Sequence, residues 1–287
     1  MQKVRTHITH LEGNESCGGN PGNAELIEEL SKSVPRTNIL GVGVSVINMD
    51  DAINLCDCLI RSNGRGYVCV TDVHGVIEAK SDASFRKILN GSFLTTPDGM
   101  PLVWVGRMRG HAGMRRVYGP DFLLAMCSHS LAQGYRHFFY GGRPGVAERL
   151  AGELTQRFPG LQVAGTYTPP FRPLNAAEEA ELEALLAAAQ PDVFWVGLGS
   201  PKQERFMAQY CGRLDVKLMA GVGAAFDIHA GYVKEAPGWL KRMGLQWLHR
   251  LIQEPGRLWK RYLKCVPSFI WNMSLQLLGL RKFSIKV

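Results

Sequence analysis

Short apolar runs alternate with longer amphipathic segments from about residue 38 to residue 223, and this alternation is the strongest constraint on the fold. The apolar runs have the length of buried strands, and the amphipathic segments have the length of surface helices. The candidate strands are 39–47, 67–71, 137–140, 161–165, 193–197 and 217–222. The candidate helices are 51–62, 120–133, 144–158, 176–189 and 203–212. Continuous apolar strands separated by helices are typical of a parallel sheet wrapped by helices, so we expect an α/β fold.

The positive charge of the chain is concentrated at its C-terminal end. The 287 residues carry a formal charge of +8, whereas residues 236–287 alone hold ten Lys or Arg and one acidic residue. The same segment contains four of the six tryptophans: Trp239, Trp247, Trp259 and Trp271. Basic and aromatic residues together are typical of a segment that lies on an anionic membrane surface. The alternative is a pair of helices that packs its tryptophans onto the core and leaves its charges solvated.

The change of composition near residue 236 divides the chain into three predicted parts. We expect a flexible leader over 1–35, a core over 36–235 and a basic, tryptophan-rich helical appendage over 236–287. The leader lacks the apolar region of a signal peptide, and the apolar-biased stretch 266–280 is shorter than the roughly 20 residues of a spanning helix. The seven cysteines form neither a CxxC pair nor a zinc-site spacing, which favours a reducing, cytoplasmic location.

Five segments are rich in glycine or polar residues, and we expect them at strand ends, where open α/β sheets bind ligands. These segments are 71–74, 96–101, 140–145, 197–204 and 221–227. Glycine at such points lets backbone N–H groups approach a phosphate or a sugar, and the next helix adds its dipole. Each segment alone is more typical of an ordinary turn. None completes a GxGxxG fingerprint, and the chain has neither a Walker A sequence nor a DxD pair.

Three residues in or near these segments are suited to chemistry. Asp98 lies between Pro97 and Gly99, where a carboxylate can remove a proton from an attacking hydroxyl. The same residues can also form a simple Asp-Gly turn. Arg116 precedes a predicted helix and can bind an anion through paired N–H donors, or it can be a solvated arginine. Gln203 can bind sugar hydroxyls or cap the turn before its helix.

The order and spacing of six motifs resemble the WecG/TagA/CpsF bacterial glycosyltransferases, glycosyltransferase family 26. The motifs are 97–101, 116–121, 141–146, 197–204, 236–237, and 247–251 together with 254–257. The resemblance extends from about residue 39 to about residue 262, which is most of the chain. It implies a Rossmann-like core and a C-terminal appendage that contacts the membrane and helps to complete the active site.

The resemblance also implies a reaction and a set of site residues. The reaction is an inverting, metal-independent transfer of a hexose or N-acetylhexosamine from a UDP-sugar to a polyprenyl-diphosphate-linked acceptor, in cell-surface or exopolysaccharide biosynthesis. Asp98 resembles the catalytic base, and no cofactor is implied. The implied substrate contacts are Thr71, Asp72, Arg116, Gly142, Gln203, Asp227, Arg250 and Arg257. We expect a cytoplasmic enzyme, held peripherally on the inner face of the plasma membrane, that can form homo-oligomers away from it and binds no nucleic acid.

The chain departs from the family pattern at four positions. Asp72 stands where the family usually has Asn, so an amide contact to the donor sugar is in doubt. Gln246 replaces a frequent Glu, and Glu235 stands where an Arg is common. Lys260, three residues after Arg257, is a point charge in place of a bidentate guanidinium.

Two other classes of protein share some of these features. A nucleotide-dependent oxidoreductase also has glycine-rich strand ends, but the incomplete fingerprints count against it. A non-enzymatic RNA-binding protein would account for the basic appendage, but not for the Pro-Asp-Gly and Pro-Lys-Gln-Glu motifs. Nicotinamide fluorescence tests the first alternative, and the salt dependence of RNA binding tests the second.

Overall fold

The computed structural model describes residues 31 and 33–286, and the side chains of Arg242 and Arg257 are also outside its described part. Most of the predicted leader over 1–35 therefore lies outside the described residues. The strands are β1 Arg36–Ile39, β2 Val42–Ser45, β3 Gly66–Thr71, β4 Leu94–Pro97, β5 Arg136–Gly141, β6 Gln162–Tyr167, β7 Val193–Gly197 and β8 Leu218–Gly221. The helices are α1 Met49–Arg61, α2 Val73–Ser81, α3 Ala83–Asn90, α4 Met100–Met108, α5 Gly119–Gln133, α6 Val146–Arg157, α7 Ala176–Ala189, α8 Lys202–Tyr210, α9 Ala225–His229, α10 Gly238–Arg242, α11 Gln246–Gln253 and α12 Pro255–Leu277.

Six strands form a parallel sheet in the order β4-β3-β8-β7-β5-β6, and this confirms the predicted α/β fold. The central strand β7 shows why its sequence is apolar throughout. Its residues Val193 and Trp195 pack into one core cluster, while Phe194 and Val196 pack into the cluster on the opposite face. Because helices cover both faces, each side chain of such a strand is removed from water.

The prediction that the first strand, 39–47, belongs to the parallel sheet is wrong. Residues 39–47 do not join the main sheet but belong to an antiparallel hairpin of β1 and β2. Leu40 and Gly41 adopt φ angles of 52° and 91°, which reverse the chain within the apolar run. Leucine at a positive φ is uncommon, so the sequence gives little indication of this turn. The strand β4 was not predicted, because Thr95 and Thr96 interrupt its apolar pattern although both are buried.

The C-terminal helices lie against the core. The helix α12 packs Cys265, Phe269 and Met273 into the same cluster as Leu102 of α4. Beyond α12 the chain returns to the β1–β2 hairpin, where the Asn38 amide donates a 2.6 Å hydrogen bond to the Phe283 carbonyl. The apolar contacts of α12 therefore fix its position beside the carboxyl ends of β3 and β4.

The four tryptophans of the appendage do not pack into the core. Trp239, Trp247, Trp259 and Trp271 are between 37% and 67% exposed, in contrast to Trp195, which is fully buried. Their exposure contradicts the alternative in which these rings pack onto the core. Within residues 31 and 33–286, no helix has both the length and the apolar character needed to cross a bilayer.

Candidate functional site

The carboxyl ends of the parallel strands bring the five predicted segments to one edge of the sheet. Thr71 and Asp72 lie at the end of β3, Asp98 follows β4, Gly142 follows β5, Gln203 is in the first turn of α8 after β7, and Asp227 lies in α9 after β8. Parallel strands make this convergence unavoidable, because all their carboxyl ends point to the same edge.

Asp98 and Arg116 are held together by backbone hydrogen bonds. The N–H of Asp98 donates to the Thr71 carbonyl at 2.9 Å, and the N–H of Val117 donates to the Pro97 carbonyl at 2.9 Å. The Arg116 guanidinium donates through Nε to the Asp98 carbonyl, and a terminal nitrogen lies 3.4 Å from the Asp98 carboxylate. It also stacks over the Tyr118 ring at 4.1 Å from the centroid. Arg116 is thus ordered beside the candidate base and is not a solvated surface arginine.

The pKa of the Asp98 carboxyl group is higher than its ordinary value. Burial raises its pKa to about 6, the negative charge of Asp72 adds to the rise, and Arg116 opposes it. The side chain is still 23% exposed, because it lines a cavity and does not lie inside the packed core. A carboxylate with a pKa near the working pH is suited to accept a proton during a reaction.

Gln246, the first residue of α11, connects the appendage to this pair. Its side-chain oxygen accepts a hydrogen bond from Arg116, and its amide nitrogen donates to the Tyr118 hydroxyl. Gln246 is 8% exposed, so the contact is shielded from water. The sequence indicated Gln246 only as a departure from Glu, because its contacts join residues about 130 positions apart.

Asp72 also contacts the appendage. It caps α2 by accepting a 2.9 Å hydrogen bond from the Gly75 N–H, and it lies 3.5 Å from a terminal nitrogen of Arg261 in α12. Burial pushes the pKa of Asp72 upward, but Arg261, His74 and the Gly75 N–H outweigh burial and hold the pKa below its ordinary value. The charge of Asp72 is therefore balanced by an arginine that sequence reasoning did not single out.

A cavity of about 440 Å³ opens above Asp98, within the range of pockets that bind small molecules. Its polar lining consists of Asp72, His74, Asp98, Arg116, Tyr118, Gln246, Arg250, Tyr262 and Ser274. The Nε donors of Arg250 and of the neighbouring Arg261 are buried and have no hydrogen-bond partner among the described residues. Buried donors of this kind favour an anionic ligand, because an unpaired charged donor is costly.

The other predicted contacts form a second group, on the side of β5, β7 and β8. Gln203 is buried, and its amide nitrogen donates a 3.1 Å hydrogen bond to Glu204. Burial raises the pKa of Glu204 to about 7. A Cβ atom added at Gly221 would lie 3.0 Å from the Gln203 amide nitrogen and 2.8 Å from the Met207 methyl group, so both side chains pack closely against this glycine. The residues after β7 and β8 are therefore packed together at the sheet edge.

The remaining predicted residues have identifiable partners or fall outside the description. Asp227 lies 3.3 Å from Arg143, the N–H of Gly142 donates to the Gly197 carbonyl at 3.1 Å, and the Thr71 hydroxyl donates to the Cys69 carbonyl at 3.2 Å. None of these three, nor Gln203, belongs to the described lining of the cavity above Asp98. The Arg257 side chain is not described, although its backbone lies in the first turn of α12. In the described part of the chain, no group of three His, Cys, Asp or Glu is arranged to hold a metal.

Comparison with known proteins supports a single assignment. Residues 37–283 match the sequence model of the glycosyl transferase WecG/TagA/CpsF family. A relative from Bacillus spizizenii (strain W23), an N-acetylglucosaminyldiphosphoundecaprenol N-acetyl-beta-D-mannosaminyltransferase, is 30% identical over 74% of this chain and 79% of its own. A protein of the same name from Bacillus subtilis (strain 168) is 29% identical over 67% of this chain and 72% of its own. Because the match covers nearly all of the described residues, the chain belongs to the WecG/TagA/CpsF family of glycosyl transferases.

Proposed function

We propose that the protein is an inverting glycosyltransferase that moves a hexose or N-acetylhexosamine from a UDP-sugar to a polyprenyl-diphosphate-linked sugar. The observation that carries the proposal is the position of Asp98, whose raised pKa suits a base, in one cavity with Arg116 and Arg250. The names of the two relatives describe transfer to a diphosphoundecaprenol-linked sugar, which supports the same class of acceptor here. Membership of a glycosyltransferase family counts against the oxidoreductase and RNA-binding alternatives.

The proposed reaction is a single displacement at the anomeric carbon. Asp98 removes the proton of the acceptor hydroxyl, and the oxygen attacks from the face opposite UDP. The bond between the anomeric carbon and the diphosphate breaks, and UDP leaves with the electron pair. This route requires one base, whereas a retaining glycosidase uses a closely spaced pair of carboxyl groups.

The cationic groups then have a defined task. The site must bind two diphosphates. The acceptor diphosphate keeps its full negative charge throughout, whereas the diphosphate of UDP gains negative charge in the transition state, which positioned donors stabilise. We assign the acceptor diphosphate to Arg250 and Arg261, with Arg257 as a further contact by resemblance. We assign the nucleotide to the glycine-rich strand ends beside Gln203 and Asp227, whose backbone N–H groups suit a diphosphate.

The proposal is tested with the full chain and a panel of UDP-sugars. The acceptor is an N-acetylhexosamine linked through diphosphate to a short prenyl chain, and UDP release measures turnover. The anomeric configuration of the product, read by NMR coupling constants, must be opposite to that of the donor. A product that retains the donor configuration contradicts the single displacement.

The acid limb of the pH profile should report Asp98. A general base acts only when ionised, so kcat/KM should fall as the pH drops through about 6, and by about tenfold per unit below that value. Asp72→Asn removes a like charge and should move this limb to lower pH. If the acid limb of Asp72→Asn lies at the same pH as that of the unsubstituted protein, the charge of Asp72 does not raise the pKa of Asp98.

Transfer should not need a divalent metal. The chain has no DxD pair, and the proposed nucleotide site offers the donor diphosphate backbone N–H groups and helix N-termini in place of a metal. Turnover in excess EDTA should therefore remain within about twofold of turnover with magnesium. Activity that EDTA abolishes and that magnesium or manganese restores would reject a metal-independent reaction.

We further propose that the enzyme acts at the inner face of the plasma membrane, bound peripherally through residues 236–287. Basic residues near an anionic surface each contribute about 1 kcal/mol, and exposed tryptophans add interfacial contacts. Sedimentation with anionic liposomes should be strong at low salt and should weaken as salt screens the charges. Equal sedimentation with neutral and anionic liposomes would contradict electrostatic attachment. We also expect that the protein binds no nucleic acid and that it can form homo-oligomers away from the membrane.

A further inference from the structure

The cavity above Asp98 continues into an apolar groove that the proposed reaction does not use. The groove lies between α4 and α12, and the side chains of these two helices form its walls. Its apolar lining includes Trp104, Met108, Phe269, Ile270, Met273 and Leu277. The cavity thus has a polar part at the sheet edge and an apolar part beside the two helices.

The polar and apolar parts follow one another along α12. Tyr262 lies beside the arginines, and Leu277 lines the groove 15 residues later, which is roughly 22 Å along a helix. Within the described lining, the residues that α12 contributes after Tyr262 carry no charge. From α4, Trp104 and Met108 add one residue per turn on the facing wall.

Several groove residues are exposed although they are strongly apolar. Trp104 is 46% exposed, Met108 is 65% exposed and Ile270 is 60% exposed. Contiguous apolar surface of this kind is unfavourable in water and marks a surface that binds a partner. Phe269 and Met273 form a buried base below them, so the groove has a fixed floor.

We propose that this groove binds the isoprenoid segment next to the diphosphate of the lipid-linked acceptor. This assignment rests on the proposed function, because the isoprenoid segment is part of the acceptor proposed there. The order of groups matches: the acceptor sugar at Asp98, the diphosphate at Arg250 and Arg261, and the prenyl chain along α4 and α12. The UDP-sugar donor has no apolar segment that could fill the groove.

The groove gives the enzyme a way to select its acceptor. Burial of apolar surface is favourable, so several isoprene units in the groove should raise kcat/KM for a prenyl acceptor by about tenfold or more. This preference does not depend on a bilayer, because the contacts lie within the protein. It should therefore appear with short acceptors in solution.

The experiment compares two water-soluble acceptors without vesicles. Both carry the same sugar and diphosphate, and one ends in farnesyl while the other ends in methyl. We expect the farnesyl acceptor to have the higher kcat/KM, by about tenfold or more. Met108→Ser combined with Ile270→Ser should lower the farnesyl-to-methyl ratio several-fold. Leu263→Ser is the matched control, since Leu263 is 67% exposed on the same helix outside the groove, and it should keep the ratio.

A second measurement does not depend on turnover. A farnesyl diphosphate with a photoreactive group on its last isoprene unit should label peptides that contain 100–108 and 262–277. Equal kcat/KM for the two acceptors, or labelling of other peptides, overturns the assignment of the groove to the isoprenoid segment but leaves the proposed function standing. If the enzyme uses neither acceptor, the result counts against the proposed function itself. The labelling result then decides whether the groove binds the isoprenoid segment. If the groove substitutions dissociate an oligomer and leave the ratio unchanged, the surface is a subunit interface and the proposal is wrong.

Discussion

Asp98→Asn should lower turnover by about 100-fold or more, the usual consequence of losing a general base. Binding of the UDP-sugar should change little, because asparagine keeps the size and one oxygen of the side chain. The Arg116 contact to the Asp98 backbone carbonyl does not involve the substituted group. Single-turnover kinetics with a saturating donor, together with calorimetric titration of UDP-sugar, separate the chemical step from binding.

The same substitution should make the protein more stable at neutral and alkaline pH. The folded-state pKa of Asp98 is about 6, above its ordinary value of 3.8, so the folded protein disfavours the ionised carboxylate. This penalty is complete above pH 6 and disappears below about pH 4, where the carboxyl group is protonated in both states. The Tm of Asp98→Asn should thus exceed that of the unsubstituted protein at pH 8, and the two should converge near pH 4.

A surface substitution provides the control for both measurements. Asp215 is an exposed partner of Arg65 outside the site, so Asp215→Asn should change neither turnover nor the pH dependence of Tm by much. Near-normal turnover in Asp98→Asn would remove Asp98 from the role of base. Loss of donor binding in that variant would instead indicate a contact to the donor.

The parallel sheet and the edge that carries the site could be predicted from the sequence, because both follow from local patterns. Runs such as 193–197 are apolar at every position, as strands between two helical layers must be. The short strand β4 was missed because Thr95 is buried without being apolar, and its hydroxyl donates instead to the Leu89 carbonyl at 2.7 Å. A hydrogen bond of that kind offsets burial and cannot be read from a hydropathy pattern.

The contacts between the core and the appendage could not be predicted in this way. The Asp72–Arg261 pair joins residues 189 positions apart, and only the packing of α12 brings them together. The charge of residues 236–287 indicated an anionic partner, but not which arginines reach the cavity. The structure brings Arg250 to the lining of that cavity and Arg261 to Asp72, so the appendage contributes polar groups beside the candidate base.

Arg250→Ala should lower kcat/KM by about 100-fold, even with a short acceptor that is free in solution. Arg250 lines the cavity that holds Asp98, and its Nε is a buried donor without a partner among the described residues. Hydrogen bonds to charged groups contribute about 1.5–3 kcal/mol each, so loss of a charged donor to the acceptor diphosphate can cost about 100-fold in kcat/KM. Steady-state kinetics on the diphosphate-linked farnesyl acceptor measure this effect in the absence of any bilayer.

Two further substitutions separate contact from overall charge. Arg250→Lys keeps the charge but loses the paired N–H donors, so its kcat/KM should lie between those of the alanine variant and the unsubstituted protein. Lys282→Ala removes the same charge from an exposed position of the appendage, so it should weaken liposome binding but spare transfer to the soluble acceptor. If Arg250→Ala and Lys282→Ala behave alike in solution, Arg250 acts only through the net charge of the appendage, and its assignment to the acceptor diphosphate is wrong.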